Sequence, residues 1–104
     1  MIEKVYKLAQ TDEKTIERIL FDENLHYLHM VFGKGDSTPE HYTNSNVYMT
    51  VLRGRLSIAL GEQGVREYEK GTMLKIPNNT KMTAGNSNDE ILEIVVVKAP
   101  APVG

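Results

Sequence analysis

Short apolar-rich stretches separated by polar turn residues run along most of the chain. The stretches are rich in β-branched, aromatic and aliphatic residues, which is the composition typical of β-strands. We expect strands over residues 25–32, 46–53, 55–60, 65–69, 72–76, 81–84 and 90–98. Glycine, proline and asparagine punctuate the chain between them, as at Gly54, Lys70-Gly71 and Pro77-Asn78-Asn79. Strands at this regular spacing, with no helices between them, predict an all-β sandwich or barrel.

One segment near the N-terminus has the spacing of a helix instead. Ile16, Ile19 and Leu20 recur at helical intervals and would form a narrow apolar stripe. Asp12 can cap such a helix, and Glu13 suits its first turn because carboxylates are favourable at helix N-termini. We therefore expect one short helix over residues 12–21.

The chain predicts a single domain over residues 1–104. That length fits one domain, with one core and one pocket, and leaves no room for two. Only residues 99–104 look non-globular. Their prolines cannot donate to a sheet, so we expect this C-terminal tail to lie extended on the surface or to fray.

Composition and charge exclude several classes of function. The net charge is −2 and no run of Lys and Arg forms a stripe, so no nucleic-acid or anionic-membrane partner is expected. The absence of cysteine excludes disulfides, thiolate nucleophiles and zinc–thiolate sites. The first residues carry charges where a signal peptide needs an apolar stretch, and no segment approaches the roughly 20 apolar residues of a membrane helix. We expect a soluble cytoplasmic protein.

Two stretches in the middle of the chain carry a recognisable spacing of residues. The first reads Gly35-x5-His41-x-Thr43-x3-Val47-x6-Gly54, and the second reads Gly71-x5-Pro77-x-Asn79-x2-Met82-x3-Asn86. They resemble the two motifs of the cupin superfamily, G-x5-H-x-H-x3-4-E-x6-G and G-x5-P-x-G-x2-H-x3-N. The resemblance implies an all-β fold, a single antiparallel cupin barrel of the jelly-roll type, here with the one short helix near its N-terminus.

Most of the matched positions belong to the scaffold rather than to the chemistry. Gly54 and Gly71 suit tight turns where a side chain would strain the backbone. Pro77 ends a strand because it cannot continue a ladder, and Asn86 can bond its own backbone at a turn. These matches therefore indicate the barrel and leave any reaction open.

The resemblance also locates the positions that bind a metal in cupin enzymes. Two histidines, a glutamate and a third histidine do so there, and the similar positions here hold His41, Thr43, Val47 and Met82. A hydroxyl is a weak ligand for such metals, valine is none, and a thioether suits Cu(I). One imidazole falls short of the three protein ligands of a usual catalytic site. We therefore expect no bound metal and no other cofactor.

Two further residues could rebuild a metal site. His29 would have to face the barrel interior near His41, and Glu40 would have to turn towards both, giving two histidines and a carboxylate. The competing interpretation of His29 is a strand histidine bonded to backbone or water. His26 lies three residues before it on the same predicted strand, so the two point to opposite faces and cannot chelate together.

The motif positions also define a candidate ligand-binding site. We expect a small-molecule ligand to contact His41 and Thr43, with Val47, Met49 and Met82 as an apolar wall. His41 is open to three interpretations: a general base, an anchor for a ligand, or a residue without function. The methionines are open to two, since methionine lines adaptable pockets but also fills cores.

Three residues near the motifs are further candidates for contacts with a ligand. Tyr42 and Tyr48 could each bond a sugar or a carboxylate, but tyrosine is as common at surfaces. Lys75 is expected outside the barrel, because it alternates with Leu74 and Ile76. An inward lysine at that position would indicate an anion site.

Three functions are compatible with these residues. We favour a metal-free cupin that binds a small polar metabolite, a sugar or a carboxylate, because His41, Thr43 and Tyr42 would give the barrel mouth polar groups. The second is a metal-independent isomerase or epimerase-like enzyme with His41 as base, which needs a second acid or base opposite it. The third is a structural or regulatory subunit with a filled barrel and no ligand.

The last predicted strand suggests a homodimer. Residues 91–97 are apolar on both alternating faces, which suits a strand buried on both sides. A small barrel has one interior, so the second face could meet a partner chain. The resemblance to cupins, which commonly pair through their N-terminal strands, points to Ile2, Val5 and Leu8 as contacts.

Overall fold

Nine short strands follow one another along the chain in the computed structural model, which describes residues 1–103. They are β1 (Thr15–Phe21), β2 (His26–Phe32), β3 (His41–Tyr42), β4 (Asn46–Arg53), β5 (Arg55–Leu60), β6 (Arg66–Glu69), β7 (Met73–Ile76), β8 (Lys81–Gly85) and β9 (Leu92–Ala99). Seven of the nine strands were predicted from the sequence. β4 and β5 have the predicted bounds, and β2, β6, β7, β8 and β9 differ by one or two residues at an end. β3 was not predicted, and β1 falls on the segment that was predicted as a helix.

The strands form two antiparallel sheets that pack against each other. The five-stranded sheet has the order β1-β2-β9-β4-β7, and the four-stranded sheet has the order β3-β8-β5-β6. Every pairing within them is antiparallel. This architecture confirms the predicted all-β, antiparallel fold.

The core lies between the sheets and is built by alternate residues of each strand. The five-stranded sheet contributes Val47, Met49 and Val51 from β4, which lie opposite residues of β9. The four-stranded sheet contributes Leu56 and Ile58 from β5. All of these side chains are almost completely buried, so the alternation along each strand fixes which residues face the interior.

The predicted helix over residues 12–21 is wrong, because most of this segment is strand β1. Its residues pair with β2 from Thr15 opposite Val31 to Phe21 opposite His26, and a β-bulge interrupts the register between Arg18 and Leu20. A bulge adds one residue to a strand and so shifts the alternation of its side chains. This shift gives the apolar residues of β1 the three- and four-residue spacing that resembles a helix. No helix occurs anywhere within residues 1–103.

One motif glycine is required by a close backbone approach. Gly54 joins β4 to β5 with a φ of 79°, and a Cβ on it would lie 2.1 Å from the carbonyl oxygen of Ile91. A side chain could not fit there without moving the backbone that leads into β9. Gly54 therefore has two roles: it allows the tight turn that the motif suggested, and it lets the backbone before β9 pack closely.

The C-terminal tail is extended, as expected, but it is held to the barrel. The amide of Ala101 donates to the carbonyl of Asn24 at 3.0 Å, and the hydroxyl of Ser45 donates to the carbonyl of Pro100. The predicted tail began at residue 99, whereas β9 extends to Ala99. Gly104 lies outside the described residues. Within the described part of the chain, no helix is long and apolar enough to span a membrane.

A buried histidine lies on the outer face of the five-stranded sheet. His29 is 0% exposed, and its Nδ1 and Nε2 lie 2.7 Å and 2.6 Å from carboxylate oxygens of Glu17 and Glu93. The register explains both contacts, because Glu17 is directly opposite His29 on β1 and Glu93 is diagonal to it on β9. Each ring nitrogen is therefore within hydrogen-bonding distance of a carboxylate oxygen. We call Glu17, His29 and Glu93 the carboxylate–histidine clasp.

The clasp also ties down the segment that precedes β1. The amide of Ala9 donates to Glu17 Oε1 at 2.9 Å, and this bond, together with that to His29, lowers the pKa of Glu17. Arg53 lies 3.2 Å from Glu93 through its Nε, and its two terminal nitrogens donate to Asp12 at 2.6 Å and to the carbonyl of Thr11 at 2.9 Å. Residues 9–12 are thereby fastened to the outer face of the sheet.

We predict that replacing His29 by Ala destabilises the protein by about 2–4 kcal/mol, because it empties a buried site and removes the ring that bridges two carboxylates. Urea unfolding measures the change. His41→Ala is the matched control, since His41 is exposed. The free energy of unfolding of that variant should stay within about 0.5 kcal/mol of that of the unchanged protein. Equal effects of the two substitutions would contradict a structural role for the clasp.

Candidate functional site

A small cavity of about 50 Å³ lies between the two sheets. The five residues proposed from the sequence, which are His41, Thr43, Val47, Met49 and Met82, all line it. The remaining lining residues are Met30, Thr38, Ala84, Ile94, Val96 and Lys98. The wall is therefore mostly aliphatic and thioether, with two basic and two hydroxyl side chains.

The strand register explains why these side chains converge. His41 on β3 lies directly opposite Met82 on β8, and Val47 on β4 lies directly opposite Lys98 on β9. Residues that are directly opposite in an antiparallel pair point to the same face. One pair therefore enters the cavity from the four-stranded sheet and the other from the five-stranded sheet.

Thr43 is tied to a neighbouring loop. Its hydroxyl donates to the carbonyl of Pro77 at 2.8 Å and accepts from the amide of Thr80 at 2.9 Å. The proton and one of the two lone pairs are thus already engaged. The structure assigns Thr43 chiefly to positioning residues 77–80, which the sequence did not indicate.

His41 is exposed at the edge of the cavity. Its Nδ1 lies 2.8 Å from the carbonyl oxygen of Pro39, an acceptor, so this nitrogen carries a proton and donates it. In the neutral ring Nε2 is then an acceptor, and no hydrogen-bond partner for it occurs within residues 1–103. The imidazole is therefore fixed through one nitrogen while the other stays available.

Lys98 is the lining residue that the sequence reasoning missed. It is half-buried, and burial, followed by the nearby charge of Arg18, lowers the pKa of its amine. The signal was present in the sequence, because Ile94, Val96 and Lys98 alternate along one strand and so share a face. Lys75, the lysine considered instead, is exposed, and its Nζ lies 5.8 Å from the ring centre of Tyr48.

The other proposed contacts lie outside the cavity lining. Tyr42 is exposed, and Tyr48 shares the outer face of its sheet with Val97. Met49 and Met82 are buried core residues as well as cavity walls. Both interpretations of these two methionines therefore apply.

The donor set does not fit a transition metal. His29 lies on the outer face in the clasp, so the alternative set of His29, Glu40 and His41 does not form. Glu40 and His41 are both exposed. In the described part of the chain, no three His, Asp, Glu or Cys side chains are placed to hold a metal ion. The interpretation of His29 as bonded to backbone or water is also wrong, because carboxylates engage both of its nitrogens.

A larger groove of about 240 Å³ lies elsewhere, on the outside of the four-stranded sheet beside Ser57, Thr83 and Asn86. Two of its polar side chains already have partners outside the groove lining. The hydroxyl of Ser57 donates to Glu67 at 3.0 Å, and the amide of Asn86 donates to the carbonyls of Phe32 and Glu90. We therefore regard the smaller cavity between the sheets as the candidate site.

Comparison with known proteins identifies one curated relative at high similarity. It is an uncharacterized protein of Methanocaldococcus jannaschii, which is 37% identical over 103 residues, covering 98% of this chain and 89% of the relative. The crystal structure of that archaeal protein is of an RmlC-like cupin with a double-stranded β-helix fold. It matches this chain with a TM-score of 0.94, covering 98% of this chain and 94% of that one. No protein-family model matches the chain.

More distant solved structures share the fold alone. One is a protein from Klebsiella pneumoniae with a double-stranded β-helix domain, which has a TM-score of 0.79 at 20% identity and covers 95% of this chain and 87% of that one. Another is a cupin superfamily protein from Desulfitobacterium hafniense, with a TM-score of 0.75 at 12% identity and coverage of 89% and 83%.

We predict that the purified protein holds no stoichiometric iron, manganese, nickel, copper or zinc. The four motif positions offer one imidazole, one hydroxyl that is already bonded, one thioether and one valine, a set too weak to retain such ions. Elemental analysis after dialysis, without chelator and without an affinity tag, makes the measurement. A stoichiometric metal that is lost in His41→Ala would contradict the prediction.

Proposed function

The chain belongs to the RmlC-like cupin family, and we propose that it works there as a metal-independent binder of a small polar metabolite, a sugar or a carboxylate. The observation that carries this proposal is the cavity between the sheets, which has an apolar wall and two basic side chains, His41 and Lys98. Apolar lining with a few convergent polar groups is the usual composition of ligand sites. The cytoplasmic location stays a prediction from the sequence.

The volume of the cavity limits what it can hold. Pockets for drug-sized ligands measure roughly 300–1,000 Å³, and a water molecule occupies about 30 Å³ in the liquid. A cavity of about 50 Å³ therefore accommodates a few non-hydrogen atoms. It suits a very small metabolite, or one end of a larger metabolite whose remainder lies outside beside His41.

The two alternative functions are less well supported. An isomerase that uses His41 as base needs a second acid or base opposite it. Among the described residues, neither aspartate nor glutamate lines the cavity, and Lys98, the basic side chain that enters from the other sheet, is accounted for by binding a ligand. The function of a structural subunit without a ligand does not explain a half-buried lysine among apolar side chains. Burying a cation is unfavourable unless it is paired. Binding accounts for Lys98, whereas a filled barrel does not.

A thermal-shift screen of sugars, small carboxylates and their amides tests the proposed function. A compound that binds only the native state must raise the unfolding temperature. We expect at least one hit, with affinity about fivefold weaker in His41→Ala because one hydrogen bond is lost. Tyr42→Ala is the matched control, since Tyr42 is the exposed neighbour of His41 outside the cavity, and it should keep the affinity. A screen without hits would favour the structural subunit.

We also propose that the chain forms a homodimer through its first eight residues, the N-terminal arm. Met1, Ile2, Val5 and Tyr6 are exposed there, although apolar side chains gain from burial. The argument from residues 91–97 is weaker, because Val95 on the outer face is already buried within one chain. The proposal of a homodimer therefore rests on the exposed N-terminal arm rather than on β9.

Light scattering at micromolar concentration should give about twice the mass of 11.7 kDa. Removal of residues 1–7 should give the monomer without unfolding the barrel, because Ala9 and the clasp are kept. A full-length monomer, or a dimer that persists after the truncation, would contradict the role of the arm.

A further inference from the structure

We propose that the ligand of the cavity is a small carboxylate with an apolar end, and that Lys98 is the residue that binds its charge. This inference rests on the proposed function and narrows it to one chemical class. Three observations support it: the basic surroundings of Lys98, the lack of a carboxylate partner for it among the described residues, and the composition of the wall.

The surroundings of Lys98 are basic. On β9 it lies directly opposite Val47 on one side and His26 on the other. The ring of His26 stacks on Phe21 with centroids 3.7 Å apart, and the guanidinium of Arg18 lies 5.4 Å from the centre of the same phenyl ring. Two basic side chains, Arg18 and His26, therefore stand beside Lys98 on the five-stranded sheet, and His41 lines the same cavity from the four-stranded sheet.

The nearby carboxylates are engaged elsewhere or exposed. Asp22 accepts from the amides of Asn24 and Leu25 at 2.8 Å and 3.1 Å, which lowers its pKa. Glu40 is exposed beside His41. Within residues 1–103, no carboxylate lies within ion-pair distance of Lys98.

Three of the other lysine and arginine side chains have a carboxylate partner. Arg53 contacts Asp12 and Glu93, Lys81 contacts Glu62, and Lys34 contacts Asp89. Lys34 keeps its partner on the surface, where such pairs contribute little. Lys98, by contrast, is partly desolvated and lies next to another positive charge. At such a position the binding free energy of an anion is most favourable. An anionic ligand would supply the counter-charge that the described residues do not.

The wall selects for the remainder of the ligand. Beyond Lys98 the cavity is bounded by Val47, Met49, Met82 and Val96, which offer no hydrogen bonds to a polyol. A sugar carries more hydroxyls than Thr38, His41, Thr43 and Lys98 can pair, and an unpaired buried hydroxyl is costly. A short alkyl chain fits this wall, while its carboxylate reaches the ammonium of Lys98.

The test compares the affinities of butyrate, butyramide and inorganic phosphate by calorimetry or ligand-detected NMR. Butyramide has nearly the same shape as butyrate but no charge, and phosphate has charge but no apolar end. Wild-type protein should prefer butyrate at least tenfold over both. Lys98→Met, which keeps the apolar stem and removes the charge, should lose this preference. Lys75→Met, an exposed lysine on the outside of the same barrel, is the matched control and should keep it.

A second measurement separates a binding role from a structural one. Without ligand, Lys98→Met should raise the unfolding temperature, because an unpaired, partly buried cation is removed. A lower unfolding temperature, or unchanged butyrate affinity in this variant, would overturn the role of Lys98. Binding of butyramide or of sugars equal to that of butyrate would overturn the carboxylate class while leaving the proposed function standing. Stronger binding of phosphate than of butyrate would also overturn the carboxylate class and leave the proposed function standing. If neither the three probes nor any screened compound binds, both the carboxylate class and the proposed function are overturned.

Discussion

Strand β9 is hydrogen-bonded along both edges, to β2 on one side and to β4 on the other. Because side chains alternate along a strand, this single register sends Ile94, Val96 and Lys98 into the barrel and Glu93 and Val95 to its outside. The cavity and the carboxylate–histidine clasp are therefore two consequences of one arrangement. A slip by one residue would exchange them and place Glu93 among the aliphatic side chains of the core.

The two faces of the five-stranded sheet differ in whether their buried basic side chain has a carboxylate partner. On the outer face His29 is completely buried, and it is matched by two carboxylates within 2.7 Å. On the inner face Lys98 is half-buried without such a match among the described residues. Folding alone explains the first arrangement, since a buried polar group is retained when it is hydrogen-bonded. It does not explain the second, and this contrast is why the inner face is the one to which we assign binding.

Much of the fold could be predicted from the sequence, because the motif glycines, Pro77 and the aliphatic strands are local signals. Strand β1 could not, since a bulge that forms only through pairing with β2 gave its apolar residues a helical spacing. The two-residue β3 carries no periodicity at all. Of the site, the five proposed residues converge on one cavity, as the motif spacing suggested. The hydrogen bonds of Thr43 and the clasp around His29 could not be read from the sequence, because their partners are distant along the chain.

The anchoring of residues 9–12 also sets a geometric limit on assembly. An extended chain spans at most about 3.3–3.6 Å per residue, so the eight residues before Ala9 reach no farther than about 29 Å from their attachment. In a two-fold pair, once one arm has docked, the other meets its surface as an intramolecular event at high effective concentration. The same attachment points that stabilise each barrel would thus also limit how far these eight residues can reach towards a second barrel.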